Sequence, residues 1–191
     1  MNTRRHTLRV LALAWLLCLT PSAFAGGGKV FLSTKEALEL AFPKAEIVKS
    51  TEYLDEAQEK RASKLAGKSV GKRVVHAYEA RNAKGELLGT AYFDTHKVRS
   101  KKETVMIVVD PAQRIRRVEV LAFAEPLEYI PRGNFYGQFK GRALDADLAV
   151  GRKIRGVAGA TLTTRATVEA ARRVLALHQV VREAEDAGAK G

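Results

Sequence analysis

Cysteine and tryptophan occur once each in the 191 residues, as Cys18 and Trp15, and both fall among the first 25. With that segment removed as a leader, the chain has no disulfide framework, no thiolate nucleophile, no cysteine zinc site and no cysteine-ligated iron–sulfur cluster. Covalent haem through Cys-x-x-Cys-His is excluded on the same ground. Histidine is scarce too, with four in the chain. His76 and His96 in the β-rich region are expected to be surface or half-buried strand residues, so no metal site is expected. His178, beside the apolar stripe of the last helix, is expected to be packed. No Gly-x-Gly-x-x-Gly fingerprint occurs, which disfavours direct NADH oxidation. A mean hydropathy of −0.17 with 28% charged residues excludes an integral membrane bundle. Hydrophobic residues, at 46%, are enough for a core and argue against wholesale disorder.

Residues 1–25 read as a cleaved export signal: Arg4, Arg5 and Arg9 form a basic start, 10–19 an apolar centre, and Ala23-Phe24-Ala25 a small-x-small cleavage site. The segment is short for a membrane span, which leaves an uncleaved anchor as the alternative. Residues 3–9 also resemble a twin-arginine export signal, with Thr7 where a large apolar residue is usual, so the Sec and Tat routes stay open. Leu17 before Cys18 disfavours lipid attachment. The mature chain is expected to be periplasmic or otherwise extracytoplasmic, starting near Gly26. The formal charge of +12 falls to +9 once the three leader arginines are removed. An acidic redox partner, an anionic membrane surface or a phosphate-bearing ligand fits that excess, as does a merely solvated basic surface. Nucleic acid is not expected as a partner of an exported protein.

Along the mature chain, Gly26 to Gly28 read as a flexible leader. Ser33-Thr34-Lys35-Glu36 is a capping box opening a helix to about Phe42, which Pro43 stops. A short strand over 45–53 and a polar helix over 55–66, ended by Gly67, complete an N-terminal region, 26–71, packed on the main domain. From Lys72 the pattern is β: alternation over 74–81, a turn at 82–85, and a strand from Leu87 to about His96. The apolar run 104–109 suits a strand buried on both faces, and Asp110-Pro111 suits the turn after it. The strand 115–124 places Val118, Val120, Ala122 and Ala124 on one face and Arg117, Glu119, Leu121 and Phe123 on the other. After an irregular stretch, 125–155, a helix is expected from about Thr163 to Val181, with Ala166, Ala170, Val174, Leu177 and Val181 as its buried stripe. The tail 182–191 is expected to fray. The fold class is α+β, a mostly antiparallel sheet meander covered by helices.

The junction Gly156-Val157-Ala158-Gly159-Ala160-Thr161-Leu162-Thr163-Thr164 is a small-residue approach to a helix N-terminus. Free N–H groups there, together with the helix dipole, suit a phosphate, and glycine permits close backbone approach. A threonine cap on a tight loop is the plainer alternative.

The order of residues is similar to a known family. Gly159-Ala160-Thr161-Leu162-Thr163 resembles the Ser-Gly-Ala-Thr-x-Thr signature of the FMN-binding domain, found in the C subunit of the sodium-translocating NADH:quinone oxidoreductase and the G subunit of Rnf complexes. Residues 118–126, ending Glu125-Pro126, are similar to that domain's strand and Glu-(Thr)-Pro loop, and Phe139-Lys140-Gly141 to its Phe-x-Gly element. These fall in the family's order across 72–181.

The resemblance implies FMN as cofactor, held by Gly159, Ala160, Thr161, Leu162 and Thr163. It places Glu125 near the flavin and implies that a flavin transferase joins the FMN phosphate to the Thr161 hydroxyl. In the pattern Asp-x-x-Ser/Thr-Gly-Ala-Thr/Ser, however, Arg155 stands at the Asp position and Ala158 at the Ser/Thr position. Arg155 could instead pair with a phosphate, favouring non-covalent FMN. The resulting expectation is an exported electron carrier serving membrane or periplasmic redox partners rather than a self-sufficient enzyme, with no catalytic residue of its own. The alternative is a non-redox accessory module that keeps the fold without covalent flavin. Lys97, Arg99, Lys101 and Lys102 are candidates for docking an acidic partner, or simply form a solvated loop.

Overall fold

Ser33 and Asp55 each start a helix by the same local chemistry. In a computed structural model describing residues 28–71 and 73–188, the Ser33 hydroxyl accepts the Glu36 N–H, and the Glu36 carboxylate accepts the Ser33 N–H in return. Asp55 and Gln58 reciprocate in the same way at 2.8 Å. The helices are α1 (Thr34–Ala41) and α2 (Glu56–Ala66), and Gly67 ends α2 in the left-handed conformation. The expected leader 1–25, with Gly26, Gly27, Lys72 and the tail end 189–191, lies outside the described residues.

Six strands build one antiparallel sheet: β1 (Lys29–Val30), β2 (Glu46–Tyr53), β3 (Val74–Arg81), β4 (Leu87–Lys97), β5 (Lys102–Val109) and β6 (Ile115–Phe123), in the order β1-β6-β5-β4-β3-β2. Strands β2 to β6 form a meander, but β1 pairs with β6 at the far edge. The chain must therefore cross the sheet between β1 and β2, and α1 makes that crossing. It buries Ala37, Leu38 and Phe42 over Met106, Val108, Ala91 and Leu121. The opposite face of the sheet is covered by α2 and by the long helix α3 (Thr161–Gly188), with Val105, Ile107 and Val109 beneath them. The apolar run of β5 is thus explained by a central strand with a core on each side.

Four differences from the sequence reading have physical causes. β1 occupies 29–30, directly after the expected leader, and two residues are too few to show a period. In β6 the pairing skips Leu121, since Val105 faces Val120 while Thr104 faces Ala122. This bulge moves Phe123 to the side of Glu103 and Ala122 to the other, exchanging the faces expected for them. The irregular stretch contains two 3₁₀ turns, Leu127–Tyr129 and Tyr136–Phe139, the second held by Phe135 and Phe139 in the core. Finally, α3 starts at Thr161, before the expected Thr163, and runs on to Gly188 within the expected tail.

A register shift between β3 and β4 places Gly89 at φ 150, with Val109 O only 2.7 Å from where a β-carbon would stand. Gly89→Ala should therefore lower stability by more than about 1 kcal/mol. Urea denaturation checks this, and a change below that size would show that the backbone can yield there.

Candidate functional site

The N-terminus of α3 is uncapped. Its first intrahelical hydrogen bond is Thr164 N–H to Ala160 O at 2.9 Å, and the residue before the helix is Ala160, whose methyl group cannot cap. The amides of Thr161, Leu162 and Thr163 donate to no protein acceptor among the described residues. Threonine capping is thus not what the junction does. Gly159, at φ 83 and with open space where a β-carbon would lie, turns the chain into the helix.

Residues 159–163 form one wall of a cavity of about 190 Å³, and Val98, Arg99 and Tyr129 form the other. Five of the residues singled out in the sequence, Gly159, Ala160, Thr161, Leu162 and Thr163, therefore meet at one place. Thr161 and Leu162 are exposed there. Thr163 is 1% exposed and its hydroxyl donates to Tyr129 O at 2.6 Å, tying the first turn of α3 to the first 3₁₀ turn. Thr164 is fully buried, and its Oγ1 has no hydrogen-bond partner.

Glu125 and Arg155 are not in the cavity wall. The Glu125 carboxylate, 5% exposed, accepts the N–H groups of Arg99 (3.2 Å), Ser100 (2.5 Å) and Lys101 (2.6 Å), and the Ser100 hydroxyl as well. These amide donors, Lys101 and Ser100 foremost, hold its pKa below the usual carboxylate value. Its role is to pin the turn between β4 and β5, and that turn presents Arg99 to the cavity. Arg155 is exposed; its N–H donates to Gln138 Oε1 at 2.9 Å and its carbonyl accepts from Gln138 Nε2 at 3.1 Å. Arg99, not Arg155, is the arginine among the residues lining the cavity. Sequence reasoning placed Arg99 in a basic cluster but could not bring it, or Tyr129, to residues so distant along the chain.

A larger cavity of about 560 Å³ lies between the end of α1, β6 and the second 3₁₀ turn, and it touches none of residues 159–163. The smaller one is the cavity lined by the residues with free amides. Three free amides at a helix N-terminus and one arginine suit a phosphate. Its volume is below the roughly 300–1,000 Å³ of pockets that enclose a whole drug-sized ligand. The residues present therefore fit the phosphate of FMN.

Among the described residues no helix is long and apolar enough to cross a membrane, and no group of three or more His, Cys, Asp or Glu side chains could hold a metal ion. Comparison with curated proteins and with solved structures gives no match. Residues 99–176, which run from the arginine of the cavity through both 3₁₀ turns and into α3, match the family model described as the FMN-binding domain. The chain carries a domain of the FMN-binding family, and FMN is the cofactor that this domain indicates.

Proposed function

We propose that the protein is an exported electron carrier whose FMN is esterified through its phosphate to Thr161 Oγ1. One observation supports Thr161 above its neighbours: of the three threonines at 161, 163 and 164, only Thr161 is both exposed and in the cavity wall. An acceptor must reach a transferase, and the buried Thr163 and Thr164 cannot. In the attachment, the Thr161 oxygen forms a P–O bond to the FMN phosphorus while the anhydride bond of an activated flavin donor breaks and the donor's other phosphate half leaves as a free monophosphate. The hydroxyl proton passes to the transferase. The free amides of the first turn and Arg99 then hold the remaining phosphate oxygens. Bound FMN supplies reversible electron storage, and the protein supplies position and electrostatics.

Export rests on the tripartite character of residues 1–25. Lys97, Arg99, Lys101 and Lys102 are exposed on the pinned turn beside the cavity, and among the described residues none has an ion-pair partner. They suit docking of an acidic redox partner, with an anionic membrane surface as the other candidate.

Co-expression with a flavin transferase, followed by gel filtration in denaturant, tests the reading. Yellow flavin should elute with the unfolded chain, and Arg155→Asp with Ala158→Ser should raise that fraction when transferase is limiting. Flavin released entirely as a small molecule would replace the ester with non-covalent binding. Colourless protein would support the accessory-module alternative.

A further inference from the structure

The larger cavity, of about 560 Å³, follows the outer edge of β6 rather than either face of the sheet. Side chains along a strand alternate between faces, so a hollow on one face meets every second residue. This one meets Arg116, Arg117, Val118 and Glu119 in succession. Its two sides come from opposite layers of the fold. Leu40 and Pro43, at and just beyond the end of α1, form one, and Tyr136 and Lys140, in and just after the second 3₁₀ turn, form the other.

The floor between them is unpaired backbone. β1 takes the outer edge of β6 at Ala122 and Phe123, and the Phe31 and Leu32 amides both donate to Leu121 O, where the chain leaves for α1. At the other end, the Ile115 N–H donates to Arg142 O at 2.8 Å, and Ile115 O accepts the Gly141 N–H at 2.7 Å. Among the described residues, the backbone of 116–120 is hydrogen-bonded only to β5. That leaves about 16 Å of open strand edge, at ~3.3 Å per residue, between two stops.

The side chains around this edge give it a sign. Arg117 and Glu119 stand opposite Val108 and Met106 and so face α1, whereas Val118, opposite Ile107, faces the layer of α3. Arg117 Nη1 lies 3.4 Å from Leu40 O, and the Arg116 guanidinium lies 5.5 Å from the centre of the Phe42 ring, so both arginines stand at the α1 rim. Lys140 is exposed at the opposite rim. Against these cations the cavity has one carboxylate, Glu119, in a long and partly exposed pair with Arg117 at 3.8 Å, a contact of little strength.

We propose that this groove docks an extended acidic segment of another protein, which joins the sheet as a strand beside β6, in line with β1. Backbone hydrogen bonds to 116–120 hold it, its carboxylates meet Arg116, Arg117 and Lys140, and an apolar side chain covers Val118. Charge complementarity fixes the sign of the occupant. The other open edge, the outer side of β2, carries Glu46, Lys49 and Glu52 and has no such preference.

The test uses the full chain without flavin and a fluorescein-labelled probe, the capped peptide Thr-Thr-Val-Glu-Glu-Thr. Fluorescence anisotropy should show it binding, and a probe with Lys for both Glu should bind at least about tenfold more weakly. Two further probes carry Pro for the second Thr or for Val. Of two adjacent strand residues one turns its N–H toward β6, so one of these probes should also lose about tenfold. Arg117→Glu and Lys140→Glu should each weaken the Glu probe by about tenfold. Lys84→Glu, an equal change of net charge in the turn after β3, should not. Lys140 is exposed, so its variant decides the matter if Arg117→Glu does not fold. In hydrogen exchange the Glu probe should protect amides within 116–120 and leave β2 unchanged. The proposal is overturned by no binding of the Glu probe, by equal binding of the Lys probe, by an equal loss in Lys84→Glu, or by protection at β2 or 159–163 instead. Protection of 116–120 that rises with protein concentration alone, with a dimer in sedimentation, would give the edge to a second copy and overturn it too. Failure of the flavin reading would leave every one of these outcomes unchanged.

Discussion

Arg173→Ala is expected to cost about 3 kcal/mol or more in folding stability, among the largest effects of a single side chain in this protein. Arg173 reaches from the second turn beyond Thr167 to the Asp94 carboxylate, whose side chain is 2% exposed, and binds it through two guanidinium nitrogens. Hydrogen bonding to Asp94 keeps the Arg173 pKa raised. Truncation removes two short charged hydrogen bonds from a buried carboxylate, and losing such a pair out of water is far more costly than breaking a surface pair. At roughly 2–4 °C per kcal/mol for a domain of this size, the melting temperature should fall by about 10 °C. Arg173→Lys keeps the charge but not the planar fork, so it should recover only part of the loss. Thermal or urea denaturation measures this, and a change within about 0.5 kcal/mol for Arg173→Ala would show that Asp94 does not depend on α3.

Asp94 and Arg173 are 79 residues apart, and nothing local marks them as partners. His96, expected as a surface or half-buried strand residue, is half-buried, but nothing local marks Asp94 and Glu103 as the two carboxylates on its ring. His178, by contrast, is packed as expected, 4% exposed and bonded to the Tyr92 hydroxyl at 2.8 Å. Local chemistry was legible: the capping box at Ser33, the stop at Gly67, the turn at Asp110-Pro111 and the doubly buried β5 are written in neighbouring residues. Features that depend on pairing were not legible. The bulge at Leu121 comes from register with β5, and β1 exists because β6 offers an edge. At the site, the glycine and threonines of 159–163 were recognisable from their order. The lining by Arg99 and Tyr129 and the hydrogen bonds of Glu125 to the β4–β5 turn became visible only in the folded chain.

Thr161→Val should abolish covalent flavin entirely. The substitution preserves the β-branched shape and removes only the oxygen that forms the ester. Position 161 is exposed in the first turn of α3, so the change in helix propensity is a matter of tenths of a kcal/mol and the fold should be unaffected. Thr161→Ser keeps a hydroxyl at the same place and should load in part. Intact mass of the three proteins, each made with the same transferase, gives the comparison. A full flavin adduct on Thr161→Val would move the attachment elsewhere.

The most direct measurement of the central claim is tandem mass spectrometry of a tryptic digest of the flavin-loaded wild-type protein. Cleavage after Arg155 and Arg165 releases residues 156–165 as one peptide, which contains Thr161, Thr163 and Thr164 together. This peptide should carry one flavin phosphate, with the mass shift in the fragment series falling at Thr161. Flavin on Thr163 or Thr164, or on any other peptide, would contradict it.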